Sequence, residues 1–220
     1  INRASIKKKG PAELILSAQE DISVLLNGTD HIRIQAIRPG MDLSVALKDA
    51  DQIDDYVDER FSYAFDEKYG YLTSYPTNVG TGMRASVLIH LPSLSLGKKF
   101  QAMLGDMGRF GVSVRGVYGE GRENYGSIYE VSNVKTLGQT ERELAELVCK
   151  VALQLNDQEN QVRQMTLENH RLEREDEVYK SYGVLKYARK LSMKEAMTYL
   201  SHLRAGICDG VIALDGACPV

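Results

Sequence analysis

Three arginines stand where a β-sheet has little structural use for them. They are Arg33 in HIRIQAI, Arg84 at the head of RASVLIHL and Arg115 near the end of GVSVRGV. A guanidinium is costly to desolvate, keeps its charge, and presents a planar fork that matches phosphate oxygens bidentately. Three of them on separate strands could converge on an anion, and phosphate is the anion that their geometry fits. The alternative is that each reaches water at a strand end. Glu120, in the glycine-rich YGEGRENYG close to Arg115, adds a requirement. A carboxylate beside a phosphate clamp repels the phosphate unless a guanidinium, an ammonium or a metal ion lies between them. A solvated loop glutamate explains Glu120 equally well on local grounds.

A further chemical cluster lies in LLNGTDHIRIQ, where Asp30, His31 and Arg33 follow Asn27-Gly28. Asn-Gly between short apolar runs is a strong hairpin signal. Other familiar chemistries are missing. There is no G-x-x-x-x-G-K-[ST], and GVYGEG has the wrong glycine spacing for a dinucleotide fingerprint. No Ser-His-Asp or Cys-His order suggests acyl transfer. His31, His90, His170 and His202 are isolated from one another, and Cys149, Cys208 and Cys218 form no C-x-x-C pair. That cysteine pattern suits a reducing cytoplasm and argues against a disulfide framework or a structural zinc.

The elements that must position these residues mix strands with helices. ELILS and ISVLL flank a polar turn, and HIRIQAI alternates, with Ile32, Ile34 and Ala36 on one face. DLSVALKDADQIDDYVDERF reads as a helix capped by Asp42, with Leu43, Leu47, Ala50, Ile53 and Val57 on its apolar face. RASVLIHL, GVSVRGV and SIYEV are strands, and a helix is expected around Lys98–Phe110. Strands outnumber the helical crossovers that a parallel sheet needs, so the expectation is α+β, an antiparallel sheet with helices on one side. Thr140–Glu143 and Ser192–Glu195 are capping boxes, the second opening a helix that Gly206 can end. Between them lies the charge-rich ENQVRQMTLENHRLEREDE, read as a solvated helical connector.

At 220 residues with a net charge of -3, the chain can hold one sizeable domain with a small appendage and lacks a global basic field for nucleic acid. No run approaches the roughly 20 apolar residues of a membrane span, and INRASIKKKG has no apolar signal core.

HIRIQ after a turn, then PTNVGTGMRASVLIHLP, RGVYGEG, YEVSN and TLGQTE resemble the phosphagen (guanidino) kinase family in order and spacing. The likeness is nearest to its bacterial protein-arginine kinase branch and runs from about Ile22 to Gly210. SYGVLKYARKLSMKEAMTYLSHLRAGICDG is similar to the C-terminal helical module of that branch, which small-molecule arginine and creatine kinases lack. The resemblance implies a large antiparallel sheet flanked by helices, with a small C-terminal helical module. The implied division is a partial catalytic domain over 1–160, a connector over 161–175 and the module over 176–220. The implied activity is ATP-dependent phosphorylation of arginine side chains in proteins, with ATP and Mg²⁺, in stress response and protein quality control. Carried over by motif, the nucleotide-binding positions are Arg33, Arg84, Ala85, Ser86, Val87, Leu88, Arg115, Gly116, Val117, Tyr118, Gly119 and Glu120. No residue is assigned as a metal ligand. Glu120 also matches a carboxylate that grips and orients the substrate guanidinium. Implied partners are proteins with exposed arginines, among them a heat-shock repressor and Clp protease components. Neither nucleic acid nor membrane is implied, the location is cytoplasmic, and a homodimer is left open.

Three departures stand out. The family pattern Asn-Glu-Glu-Asp-His is here Asn27-Gly28-Thr29-Asp30-His31, so Thr29 takes the place of the second guanidinium-binding glutamate. A swing of Asp30 into that place is one conceivable rescue. Tyr75 precedes Pro-Thr-Asn where the family usually has cysteine. The Ser-Arg-Val-Arg-type ATP contacts and the arginine-rich tail linked to phosphoarginine sensing are not in this sequence, which looks like the middle and later portion of a longer protein. The alternative function is a catalytically impaired relative that binds nucleotide or arginine as a regulator.

Overall fold

The computed structural model describes residues 11–98, 100–119 and 124–213. The chain divides into two compact units, one of residues 1–86 and 133–149 and the other of 87–132 and 150–220.

In the first unit, β1 (Glu13–Leu16), β2 (Ile22–Leu26) and β3 (Ile32–Ala36) form an antiparallel meander. Strand β3 alternates as its sequence requires, with Ile32, Ile34 and Ala36 half-buried and Arg33 and Gln35 exposed. The helix α1 (Leu43–Asp58) starts where Asp42 Oδ1 accepts the Val45 N–H. Arg38 fastens the sheet to this helix, with Nη1 on Asp21 and Nε on Asp49, both at 2.6 Å. A short hairpin follows, β4 (Phe65–Asp66) with β5 (Gly70–Tyr71). Tyr71 donates its hydroxyl to Asp54 at 2.7 Å and takes the edge-on rings of Tyr63 and Phe65. Burial, together with Asp54, pushes the Tyr71 hydroxyl well above the ordinary phenol range.

The second unit holds, apart from the end residues Ser86 and Asn133, a sheet of β6 (Ser86–His90), β7 (Val112–Gly116) and β8 (Ile128–Asn133), in the order β6-β8-β7. Val87, Val112, Val114, Tyr129 and Val131 are buried on one face of this sheet. There Phe100, at the start of α2 (Phe100–Met107), meets Tyr129 edge to face at 5.1 Å. The helix expected around Lys98–Phe110 is thus α2 followed by a 3-10 turn over Gly108–Phe110, closed by Gly111 at φ 81°.

The capping box at Thr140 forms, with reciprocal bonds between Thr140 and Glu143, and opens α3 (Glu141–Asn169). This helix begins in the first unit and continues in the second. Its Glu159 is 3% exposed and accepts the Ser93 and Leu94 N–H groups at 2.9 and 2.7 Å, satisfying a buried carboxylate with backbone donors. Most of the charge-rich connector is helical, in the second half of α3 and the start of α4 (Arg171–Tyr187). The Ser192/Glu195 box opens α5 (Met193–Cys208).

Gly206 does not end α5. A Cβ there would lie 2.4 Å from Val178 Cγ1, so the glycine permits close packing of α5 on α4. The left-handed residue past the helix is Gly210 (φ 69°), with Gly210 N–H donating to Ile207 O and Val211 N–H to Gly206 O.

Behind this packing lies a charged cluster. The Asp209 side chain, 2% exposed, accepts from Arg163 Nε at 2.7 Å and from Arg174 Nε at 3.2 Å. Arg174 also reaches Glu177 at 2.7 Å. Nearby, His90 Nε2 lies 2.7 Å from Ser201 Oγ. Burial, with Arg204, Arg163, Arg174 and His202 adding repulsion, lowers the His90 pKa to about 4. A histidine held neutral in the fold contributes stability above its unfolded pKa of about 6.5. That stability is lost as pH falls from about 6.5 to 4. Denaturant titrations across this window should show His90→Gln losing less stability than the wild type, by up to about 3 kcal/mol. Parallel curves for the two proteins would contradict the assignment.

Candidate active site

The sequence-derived site residues fall in both units, and each group is described within its own. In the first unit, β2 and β3 are joined by the five-residue loop Asn27–His31 rather than a two-residue turn. Asn27 adopts φ 54°, and its N–H donates to His31 O at 2.8 Å. Asn and Gly tolerate such backbone, so the Asn-Gly signal marks the place of the reversal while the loop is longer. Thr29 is exposed at this loop. Arg33 is exposed on β3, in register with Leu25.

Asp30 does not swing toward Thr29's position. Its Oδ1 accepts the Ser74 N–H at 2.9 Å and its Oδ2 accepts from Asn78 Nδ2 at 3.1 Å. Both oxygens therefore hold the segment that carries Tyr75, whose side chain is 54% exposed beside the 3-10 turn Pro76–Asn78.

The chain from Thr77 to Ala85 is pinned by two further side chains. Thr136 Oγ1 lies 3.0 Å from Thr77 O and 2.8 Å from Val79 O, while Thr136 O accepts the Thr81 N–H. Gly80 sits so close that a Cβ would fall 2.2 Å from Thr136 O, and its φ of 113° also demands glycine. Asn133, 6% exposed, accepts the Ala85 N–H at 2.8 Å and donates to Met83 O and Lys135 O at 3.1 and 2.9 Å. Arg84, exposed between Met83 and Ala85, is positioned by a buried side-chain amide that meets the backbone on both sides of it.

Along β6 the alternation sorts the Arg84–Leu88 segment. Ser86 and Leu88 are exposed, whereas Ala85 and Val87 are buried and brace the strand. In the second unit, Arg115 is exposed on β7 and lies 3.8 Å from Glu130 of the neighbouring β8. With Arg115 59% exposed and Glu130 29%, solvent screens the pair, which is worth about 1 kcal/mol or less. Beyond it, Gly116, Val117, Tyr118 and Gly119 are all exposed. Val117 N–H donates to Ile128 O at 3.0 Å, and a Cβ on Gly116 would collide with Asn124 at 2.8 Å. Glu120 lies outside the described residues.

Spacing does not single out Asp30 as a strut, nor Asn133, Thr136 or Glu130. Asn133 left one legible sign, an amide on the inward side of an otherwise apolar alternation in SIYEVSN.

Strands that carry exposed arginines, followed by a run of helices, make an α+β architecture. The chain matches the ATP:guanido phosphotransferase C-terminal catalytic domain over residues 3–162, and the protein-arginine kinase McsB C-terminal domain over 171–215. It is similar to the protein-arginine kinase of Bacillus subtilis (strain 168), with 47% identity over 198 residues, 90% of this chain and 54% of that protein. Among solved structures it resembles lombricine kinase, with a TM-score of 0.59, 26% identity and coverage of 69% of this chain and 41% of that one. It shares a fold with the taurocyamine kinase of Schistosoma mansoni, solved with transition-state-analogue components, at a TM-score of 0.64 and 21% identity over 93% of this chain and 35% of that one. The chain belongs to the ATP:guanido phosphotransferase family. It spans about half the length of the curated relatives it matches.

Proposed function

We propose that this chain carries part of a protein-arginine kinase, which transfers a phosphoryl group from ATP to arginine side chains of proteins. The observation that carries this reading is the pairing of a guanidino-phosphotransferase match over 3–162 with a protein-arginine kinase module over 171–215. Residues 1–160 would supply the catalytic portion, 161–175 the connector and 176–220 the helical module. Phosphoryl transfer needs charge neutralisation and in-line positioning more than covalent chemistry. Exposed Arg33, Arg84 and Arg115 would neutralise phosphate charge, and Ser86, Leu88 and the Gly116–Gly119 backbone would line the nucleotide. Among the described residues no cluster of three His, Cys, Asp or Glu could hold a metal ion. The Mg²⁺ implied by the family would be carried on the nucleotide phosphates, as is usual for that ion. Glu120 would grip the substrate guanidinium and accept its proton.

The substrates would be proteins with exposed arginines, including a heat-shock repressor and components of Clp-type proteolysis. Among the described residues no helix is long and apolar enough to cross a membrane. Cys149 and Cys208 are free thiols, which supports a reducing, cytoplasmic location.

The nucleotide assignment is tested by Arg115→Ala and Arg33→Ala. Each loses a charge-assisted contact of about 1.5–3 kcal/mol, so KM for MgATP should rise by roughly 10- to 150-fold. Arg115→Lys should recover only part, because an ammonium lacks the bidentate fork. Unchanged KM values would remove these residues from the nucleotide site. Thr29 favours a second reading, a relative of low turnover that binds arginine or nucleotide as a regulator, since no carboxylate stands at that position and Asp30 is committed elsewhere.

A further inference from the structure

We infer that Asp30 is a positioning residue, one that ties the loop carrying Tyr75 to the loop carrying Thr29 and so holds the Tyr75 segment beside the proposed guanidinium position at Thr29. The inference rests on the proposed kinase reading. Its observation is a single carboxylate that bridges two loops 44 and 48 residues apart in sequence, through the Ser74 N–H and the Asn78 side-chain amide. On either side of this bridge stand two of the residues where the chain departs from its family's pattern. Thr29 is exposed one residue before Asp30, and Tyr75 is exposed one residue after Ser74. The bridge lies between two fixed ends of the Tyr75 loop: Leu72 N–H donates to Ala64 O at 2.7 Å and Tyr71 pairs with Gly80 on one side, while Thr136 and Asn133 pin the stretch from Thr77 to Ala85 on the other. Without Asp30, the backbone at Ser74 loses its partner across the gap, and the tip at Ser74–Tyr75 keeps only bonds within its own loop, from Thr73 Oγ1 and Asn78 N–H to Tyr75 O. A short side chain with both oxygens engaged serves as a strut and is unavailable as a guanidinium ligand.

Asp30→Ala and Asp30→Asn separate these roles. The asparagine can still accept the Ser74 N–H, and its amide can donate to Asn78 once the Asn78 amide turns over. Hydrogen exchange of the 74–79 segment is read alongside steady-state kinetics. In Asp30→Ala, exchange there should quicken about tenfold and KM for an arginine-rich protein should rise about tenfold, with KM for MgATP within about twofold of wild type. Asp30→Asn should recover most of both effects. If Asp30→Ala leaves exchange of the segment unchanged, the strut is refuted. If Asp30→Asn is as impaired in arginine KM as Asp30→Ala, the charge is what matters and Asp30 binds the guanidinium directly. A protein that phosphorylates nothing, as wild type and as Thr29→Glu alike, yet whose loop loosens in Asp30→Ala and tightens again in Asp30→Asn, would fail the kinase reading and uphold the strut.

Discussion

Thr29→Glu is expected to raise phosphoryl transfer to protein arginine by roughly 10- to 150-fold, the worth of one charge-assisted hydrogen bond of about 1.5–3 kcal/mol. Thr29 stands where the family pattern has a glutamate that binds the guanidinium. A threonine hydroxyl can accept a hydrogen bond but brings no charge to a cation that must be aligned for in-line attack. No neighbouring carboxylate fills the gap from the same loop, because both oxygens of Asp30 are bonded to Ser74 and Asn78. The substituted position is exposed and outside the strands, so the change should alter stability by less than about 0.5 kcal/mol. A gain in kcat/KM for the arginine substrate, with KM for MgATP little changed, would place the deficit at the guanidinium. Equal rates for the two proteins would show that this position no longer takes part.

Asp209→Ala is expected to destabilise the second unit by about 3–5 kcal/mol, the usual cost of removing one partner from a buried ion cluster. The Asp209 side chain is 2% exposed and Arg174 7%, so the arginine would keep only Glu177 while Arg163 would lose its carboxylate. The pair Arg142–Glu146, at 85% and 64% exposure, supplies the contrast. Arg142→Ala should cost no more than about 0.5 kcal/mol, since solvent screens both charges. Urea titration followed by circular dichroism reads both. Similar midpoints for Asp209→Ala and Arg142→Ala would show that the cluster does not hold the helical module.

How much of this was legible in the sequence depended on whether the governing interaction was local. The alternation of HIRIQAI, the Asp42 cap and both capping boxes depend on residues within four positions of one another, and all of them form. Gly206 misleads because a glycine near a helix end reads as a terminator, whereas here it answers Val178 on another helix. Arg115 is recognisable as an arginine out of place on a strand. Its partner Glu130 sits across a strand pairing that spacing alone does not establish. Asp30 and Asn133 reach residues 44 to 50 positions away, and Thr136 reaches back 57 to 59. Each is an ordinary polar residue until the loop it holds is seen. The chemistry of the candidate site could thus be anticipated from arginines and motifs, but the side chains that aim them could not.

The central claim, transfer of phosphate from ATP to protein arginine, is tested most directly by incubating the protein and its Thr29→Glu variant with MgATP and an arginine-rich protein. Acid-labile phosphoarginine is then sought by mass spectrometry. The account predicts phosphoarginine from the Thr29→Glu variant and a lower yield from the wild type. Its absence from both, under conditions where a protein-arginine kinase from Bacillus subtilis labels the same substrate, would contradict the account.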